Sequence, residues 1–106
     1  MINNFNVLFL DKNNLPMVFS RFSQNVTVCI GKDIANYFCN ANCDNNSIAH
    51  FSVKNMPDGK YYIRGVWKEG YINFTRPLTI EIKNGIMLYN NKEVEDNYTF
   101  IIKSNF

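Results

Sequence analysis

Three cysteines, Cys29, Cys39 and Cys43, and a single histidine, His50, are the side chains best able to hold a metal or attack an electrophile. They make four donors, enough for a tetrahedral zinc site. Their spacing follows no common zinc pattern, and one histidine in an alternating apolar run is ordinarily a surface residue. Any Ser-His-Asp or Cys-His arrangement must use His50 as its base, yet His50 lies inside a strand-like stretch rather than in a loop at a strand end. The carboxylates are dispersed, chiefly at turns (Asp11, Asp44, Asp58, Glu69, Asp96), where backbone capping accounts for them and no pair suits glycoside hydrolysis. Asp44-Asn45-Asn46 offers one carboxylate, too few for calcium. The pattern predicts no catalytic residue, no metal and no cofactor, and the chain reads as non-enzymatic.

Two other chemistries are open to these residues. In an oxidising compartment Cys39-Asn40-Ala41-Asn42-Cys43 could close a small disulfide loop if the backbone turns, leaving Cys29 to link a second chain; otherwise all three thiols stay reduced. Tyr61, Tyr62, Trp67 and Tyr71 lie close in sequence, and rings on a sheet face can stack on sugars or anchor a partner. Core filling takes Tyr61 and Trp67 readily but not Tyr62, which shares its face with Arg64. Tyr62, Trp67 and Tyr71 are the expected contact residues for a ligand or partner.

These groups must be positioned by β-strands, because period-two alternation runs through the chain. Phe5–Asp11 reads as a first strand, closed by Asp11-Lys12-Asn13-Asn14. Leu15–Phe19 reads as extended and irregular, since Pro16 cannot donate in a ladder. In Val26–Ile30 the residues Val26, Val28 and Ile30 share one face and Thr27 and Cys29 the other, so Cys29 is expected to face outward. Either one helical turn capped by Asp33 over 33–38 or a strand at Ala35–Cys39 fits. Ile48–Val53 puts Ala49, Phe51 and Val53 inward and His50 outward. Asn55-Met56-Pro57-Asp58-Gly59 turns the chain into Lys60–Lys68, with Tyr61, Ile63, Gly65 and Trp67 on one side. Leu78–Lys83 and Ile86–Tyr89 flank Asn84-Gly85, the strongest hairpin signal present, and Tyr98–Lys103 is a last strand.

With 106 residues, 46% of them apolar and 15% aromatic, the chain fits one domain over 1–106 with an ordinary hydrophobic core. A net charge of +2 with scattered lysines and arginines gives no field for nucleic acid, and no run is long and apolar enough to span a bilayer. The start lacks the basic and apolar regions of a signal peptide. Asparagine is abundant, with 18 residues, many in pairs at expected turns where its side chain caps the backbone and tolerates a left-handed conformation. Acceptor patterns for N-glycosylation begin at Asn25, Asn45, Asn73 and Asn97 and matter only in a secretory lumen or a glycosylating host. The expected fold is all-β, a seven- to eight-stranded antiparallel Greek-key sandwich.

The order Val7-Leu8-Phe9-Leu10-Asp11-Lys12-Asn13-Asn14-Leu15-Pro16, Val26-Thr27-Val28, Asp44-Asn45-Asn46 with Phe51, Met56-Pro57-Asp58-Gly59-Lys60-Tyr61 and Gly70-Tyr71 resembles the transthyretin-like (prealbumin-like) sandwiches, including carboxypeptidase regulatory-like and collagen-adhesin B-type repeats. The resemblance spans roughly Val7 to Ile82. It implies a Greek-key sandwich serving as a surface, stalk, pilus or accessory module, usually without catalysis. Asn14 and Ser47 stand where that group prefers glycine. The self-crosslinking repeats need a first-strand lysine and a glutamate that here falls on Gly65, so no intramolecular isopeptide bond is expected. The chain is therefore expected to work by subunit contacts in a surface, fibre or secretion assembly, outside the cell or on its surface. Self-association would use edge-strand pairing through Phe5–Leu10 or Tyr98–Lys103, with a disulfide through Cys29 as a lock. The alternative is a ligand-binding module, with carbohydrate as ligand, using the exposed aromatics.

Overall fold

The computed structural model describes residues 2–17 and 24–105; the part of the expected extended segment after Met17 lies outside them. Ten strands form two facing sheets without helices among the described residues. The small sheet has the order β10-β1-β4, with β1 Asn4–Leu10, β4 Ile48–Ser52 and β10 Tyr98–Lys103. The large sheet has the order β3-β2-β5-β7-β8-β9, from β3 Tyr37–Asn42, β2 Asn25–Cys29, β5 Gly59–Glu69, β7 Leu78–Lys83, β8 Ile86–Tyr89 and β9 Lys92–Glu93. β6, Tyr71–Phe74, pairs only with β5.

Alternation decides which side chains fill the gap between the sheets. β1 contributes Phe5, Val7 and Phe9, β4 Ala49 and Phe51, β10 Phe100 and Ile102, and β5 Tyr61, Ile63 and Trp67, all buried. Ring contacts knit the layer: Phe5 stacks on Phe51 at 5.1 Å and meets Phe100 edge-on at 5.9 Å, while Phe9 meets Trp67 at 5.9 Å. Each such buried ring contributes about 1.5–3 kcal/mol of transfer free energy. Gly65 leaves a position without a side chain between Ile63 and Trp67 on the inward face of β5. A Cβ there would lie 2.4 Å from Phe9 Cε2, so the site where self-crosslinking repeats carry glutamate is filled by a phenyl ring.

Several expectations need correction. The sandwich is mixed rather than antiparallel, because β1 and β10 pair in parallel from Phe5↔Tyr98 to Leu10↔Lys103. This makes β1 the central strand of its sheet, so Phe5–Leu10 is not an edge. No helical turn forms at 33–38. Asp33 caps a reverse turn instead, its carboxylate accepting from the Ala35 N–H (2.9 Å) and its carbonyl from the Asn36 N–H (3.0 Å), and β3 follows. β6 and β9 had no counterpart in the sequence reading, being four and two residues long.

The turns account for a third of the asparagines, while Asn4, Asn6, Asn25, Asn40, Asn42 and Asn73 lie within strands. Among the described residues, six of the seven non-glycine residues with positive φ are Asn, namely Asn14, Asn55, Asn84, Asn90, Asn91 and Asn97; the seventh is Ser47. Asp11–Leu15 and Asp44–Ile48 form the same five-residue loop. In each the aspartate Oδ1 accepts from the N–H two and four residues on, at 2.8 and 3.1 Å from Asp11 and 2.8 and 3.0 Å from Asp44. In each the fourth residue is left-handed, Asn14 at φ 64° and Ser47 at φ 62°. These are the two positions where the resembled group prefers glycine.

Candidate functional site

The three aromatic residues expected to form one contact surface do not come together. Trp67 is in the core at 6% exposure. Facing residues on neighbouring strands share a face, so Glu69↔Tyr71 and Trp67↔Asn73 set Tyr71 on the core-side face of the β5–β6 ribbon, at its exposed tip. Tyr62 lies on the opposite, outer face beside Arg64. A sugar platform of Tyr62, Trp67 and Tyr71 is therefore not assembled.

The thiols are equally separate. Cys29 alternates away from the core as expected, yet it is fully covered, which removes it as an exposed link between chains. It lies between Tyr37 of β3 and Tyr62 of β5, at a register shift between Val28 and Cys29. Burial pushes its thiol up, the nearby Arg64 guanidinium opposing and Asp33 adding to the rise. Burial likewise raises Cys39 and Cys43, with Cys43 hydrogen-bonded to Gln24 and Ser47. β3 is extended through Asn42, and at about 3.3 Å per residue Cys39 and Cys43 stand roughly 13 Å apart, beyond the ~7 Å reach of a disulfide.

His50 is exposed on the outer face of the small sheet. Its Nδ1 is 2.8 Å from Asn6 Oδ1 and its Nε2 3.0 Å from Asp44 Oδ2. No hydroxyl or thiol is among these partners. Asp44 is held below the ordinary carboxylate range by His50 first and then by the Ile48 and Asn46 N–H groups. Among the described residues no three His, Cys, Asp or Glu side chains gather as a metal site. The four acceptor patterns also differ: Asn45 and Asn97 are exposed in turns, whereas Asn25 and Asn73 are half-buried within strands.

β10 has β1 on one side and, among the described residues, no strand on the other. The Ser104 N–H donates to the Leu10 carbonyl (2.9 Å), so the even-numbered residues of β10 face β1. By alternation the N–H and C=O groups of Thr99, Ile101 and Lys103 point to the open edge. Ile101 is 57% exposed, and Lys103 is the only charged side chain on the strand. No inward charge, proline or bulge blunts this edge.

The small sheet is three strands wide against six in the main run of the large one, and a space remains beyond β10. There a cleft of about 530 Å³ opens between the β8–β9 hairpin and the start of β10, lined by Tyr89, Val94 and Tyr98 with Lys92, Glu93 and Glu95 at its mouth. Tyr89 and Tyr98 both pack edge-on against Phe100, at 5.3 and 4.9 Å. No protein-family model matches the chain, and no curated protein matches it. The sequence signal for this cleft was slight: Asn90-Asn91 marks a tight turn, but β9 is too short to show a period.

No helix among the described residues is long and apolar enough to cross a membrane. The structural groups that remain chemically available are thus an open backbone edge, an adjoining aromatic cleft and the outer face of the large sheet.

Proposed function

We propose that this chain is a non-catalytic contact module that self-associates by adding the β10 strand of a second copy to its own β10. The observation that carries the reading is the row of outward N–H and C=O groups at Thr99, Ile101 and Lys103 beside a cleft that the small sheet leaves uncovered. Antiparallel addition about a two-fold axis makes a six-stranded sheet from two three-stranded ones, and the same patch serves both copies. A register centred on Ile101 sets Ile101 against its copy and Thr99 against Lys103, so no like charges meet.

The resemblance to transthyretin-like sandwiches supports the same reading. The paired Asp11–Leu15 and Asp44–Ile48 loops, left-handed at Asn14 and Ser47, supply the conformation for which that group uses glycine. Within this proposal the module belongs to a surface, fibre or secretion assembly, and its contacts do not run through Cys29, which is covered.

Sedimentation velocity of wild type, Ile101→Lys and Thr99→Pro over a wide concentration range tests the reading. Wild type is expected to show a mass rising towards the dimer, and both edge variants to stay monomeric with native circular dichroism. A wild type that remains monomeric throughout, or variants that associate as wild type does, would refute it.

A further inference from the structure

β6 and β7 are one strand interrupted by a bulge. The pairs Val66↔Phe74 and Ile63↔Leu78 differ by one in register, so the chain gains a residue between them, opposite Arg64. Thr75 closes the upper side, its N–H donating to the Gly65 carbonyl (2.9 Å) and its hydroxyl accepting from the Gly65 N–H (3.0 Å). The extra residue turns Arg76 outward, and Pro77 restarts the ladder without needing a donor.

This bulge forms one wall of a second cleft, of about 260 Å³, where β5 and the end of β10 meet. Three cations from three segments line it: Arg64 of β5, Arg76 of the bulge and Lys103 of β10. No carboxylate is in the lining, which otherwise includes Phe74, Pro77 and Trp67. Arg64 is held in place, Nη1 donating to the Thr75 carbonyl (2.7 Å) and Nη2 to the Lys32 carbonyl (3.2 Å), with its guanidinium 5.1 Å from the Phe74 ring centre. Carbonyl dipoles and a ring face thus surround this charge. Asp33, which follows the Lys32 carbonyl that Arg64 contacts, uses its Oδ1 on the Ala35 N–H. Among the described residues the ion pair found, His50–Asp44, lies on the other sheet. Arg76 and Lys103 are exposed, and Phe74 is 49% exposed, presenting a ring beside them.

We infer that this cleft binds a small oxyanion ester, a phosphate or sulfate group carried on a ring or short apolar stem, with Arg76 and Lys103 holding the anion and Phe74 the stem. The charge balance selects the anion, since a positioned guanidinium and two exposed cations line the cleft with no carboxylate among them. The volume lies just below that of ordinary small-molecule sites and limits the ligand to a single group rather than an oligomer. Phe74 and Pro77 provide the apolar contact, with Arg64 beneath the ring fixing its orientation.

Amide chemical-shift titrations of the full chain with phenyl phosphate, phenyl sulfate, inorganic phosphate and inorganic sulfate, at constant ionic strength, test this. Saturable shifts are expected at Thr75, Arg76, Lys103 and Asn105, with the esters binding more tightly than the bare ions. Comparing the two esters shows which oxyanion is preferred. Arg76→Gln and Lys103→Gln are each expected to weaken ester binding several-fold, and their combination by about tenfold or more. Phe74→Ala should bring phenyl phosphate down to the affinity of inorganic phosphate while leaving the latter unchanged. Lys54→Gln, at the opposite end of the small sheet beyond the Asn4↔Ser52 pair, should change nothing. Non-saturating shifts spread over many lysines and arginines, or ester binding untouched in both single variants, would overturn the assignment.

Discussion

Replacing Gly65 by alanine inserts one methyl group between the two sheets, against Phe9 and Ile102. The new Cβ would stand 2.4 and 2.5 Å from Phe9 Cε2 and Cζ and 2.9 Å from Ile102 Cδ1. Carbon atoms rest at about 3.5–4.0 Å, so the overlap is about 1 Å against the ring. Phe9 is wholly buried and Ile102 nearly so, and the ring already abuts Trp67, which leaves it no free space to enter. Overpacking of this kind costs about 1–3 kcal/mol, and we expect the upper half of that range. For a domain of this size the melting temperature should fall by roughly 10–20 °C, taking about 4–8 °C per kcal/mol. Thermal and urea unfolding followed by circular dichroism measure both quantities. A second substitution sharpens the assay. Phe9→Leu removes the colliding ring atoms, so Gly65→Ala should cost at least about 1 kcal/mol less in the Phe9→Leu background than in wild type. Gly65→Ala within about 0.5 kcal/mol of wild type, or additive effects in the double variant, would refute the packing of β5 against β1 and β10.

The structure carries three further predictions. Asp44 and Asp96 both titrate below the ordinary carboxylate value, Asp44 through His50 and Asp96 through the Asn3 and Asn4 N–H groups at 2.8 and 3.0 Å. A depressed folded value means that their stabilisation is complete above the unfolded value and is lost as pH falls through the folded one, below about pH 4. Asp96→Asn should therefore lower the urea midpoint at pH 6 and flatten its decline from pH 5 to 2; a decline as steep as in wild type would contradict this. Because burial raises all three thiols and Cys29 is fully covered, Cys29 should react with an aromatic disulfide reagent at pH 8 only on unfolding, whereas prompt labelling of Cys29 would contradict its burial. Asn14→Gly, at φ 64°, should raise stability by a few tenths of a kcal/mol to about 1, and Asn14→Ala should lower it by about 1; equal effects would contradict the left-handed loop.

The sequence was legible wherever burial imposed a period of two. Tyr61, Ile63, Gly65 and Trp67 face inward on β5, and Phe100 and Ile102 do so on β10, because a one-residue slip would expose every one of them. Asn84-Gly85 turned as its left-handed preference required. Long-range partnership left no such mark. The parallel pairing of β1 with β10, which makes Phe5–Leu10 central, joins the two ends of the chain, and no local pattern encodes it. Cys29 alternates outward but is covered by groups distant in sequence, so alternation gave its direction and not its burial. At Tyr71–Phe74 the apolar residues do not alternate, since that ribbon has little core beneath it, and the strand is held by its β5 ladder. For the candidate sites, Tyr98–Lys103 was readable as an edge strand. The convergence of Arg64, Arg76 and Lys103 depends on a one-residue bulge that only the register reveals.

Residue-resolved amide hydrogen exchange of β10, measured on dilute and on concentrated protein, tests the proposed strand addition most directly. The Phe100, Ile102 and Ser104 amides, which face β1, should be protected at both concentrations. The Thr99, Ile101 and Lys103 amides should exchange quickly when dilute and gain protection on concentration, and Ile101→Lys should abolish that gain. Thr99, Ile101 and Lys103 amides that exchange equally fast at both concentrations would contradict the account.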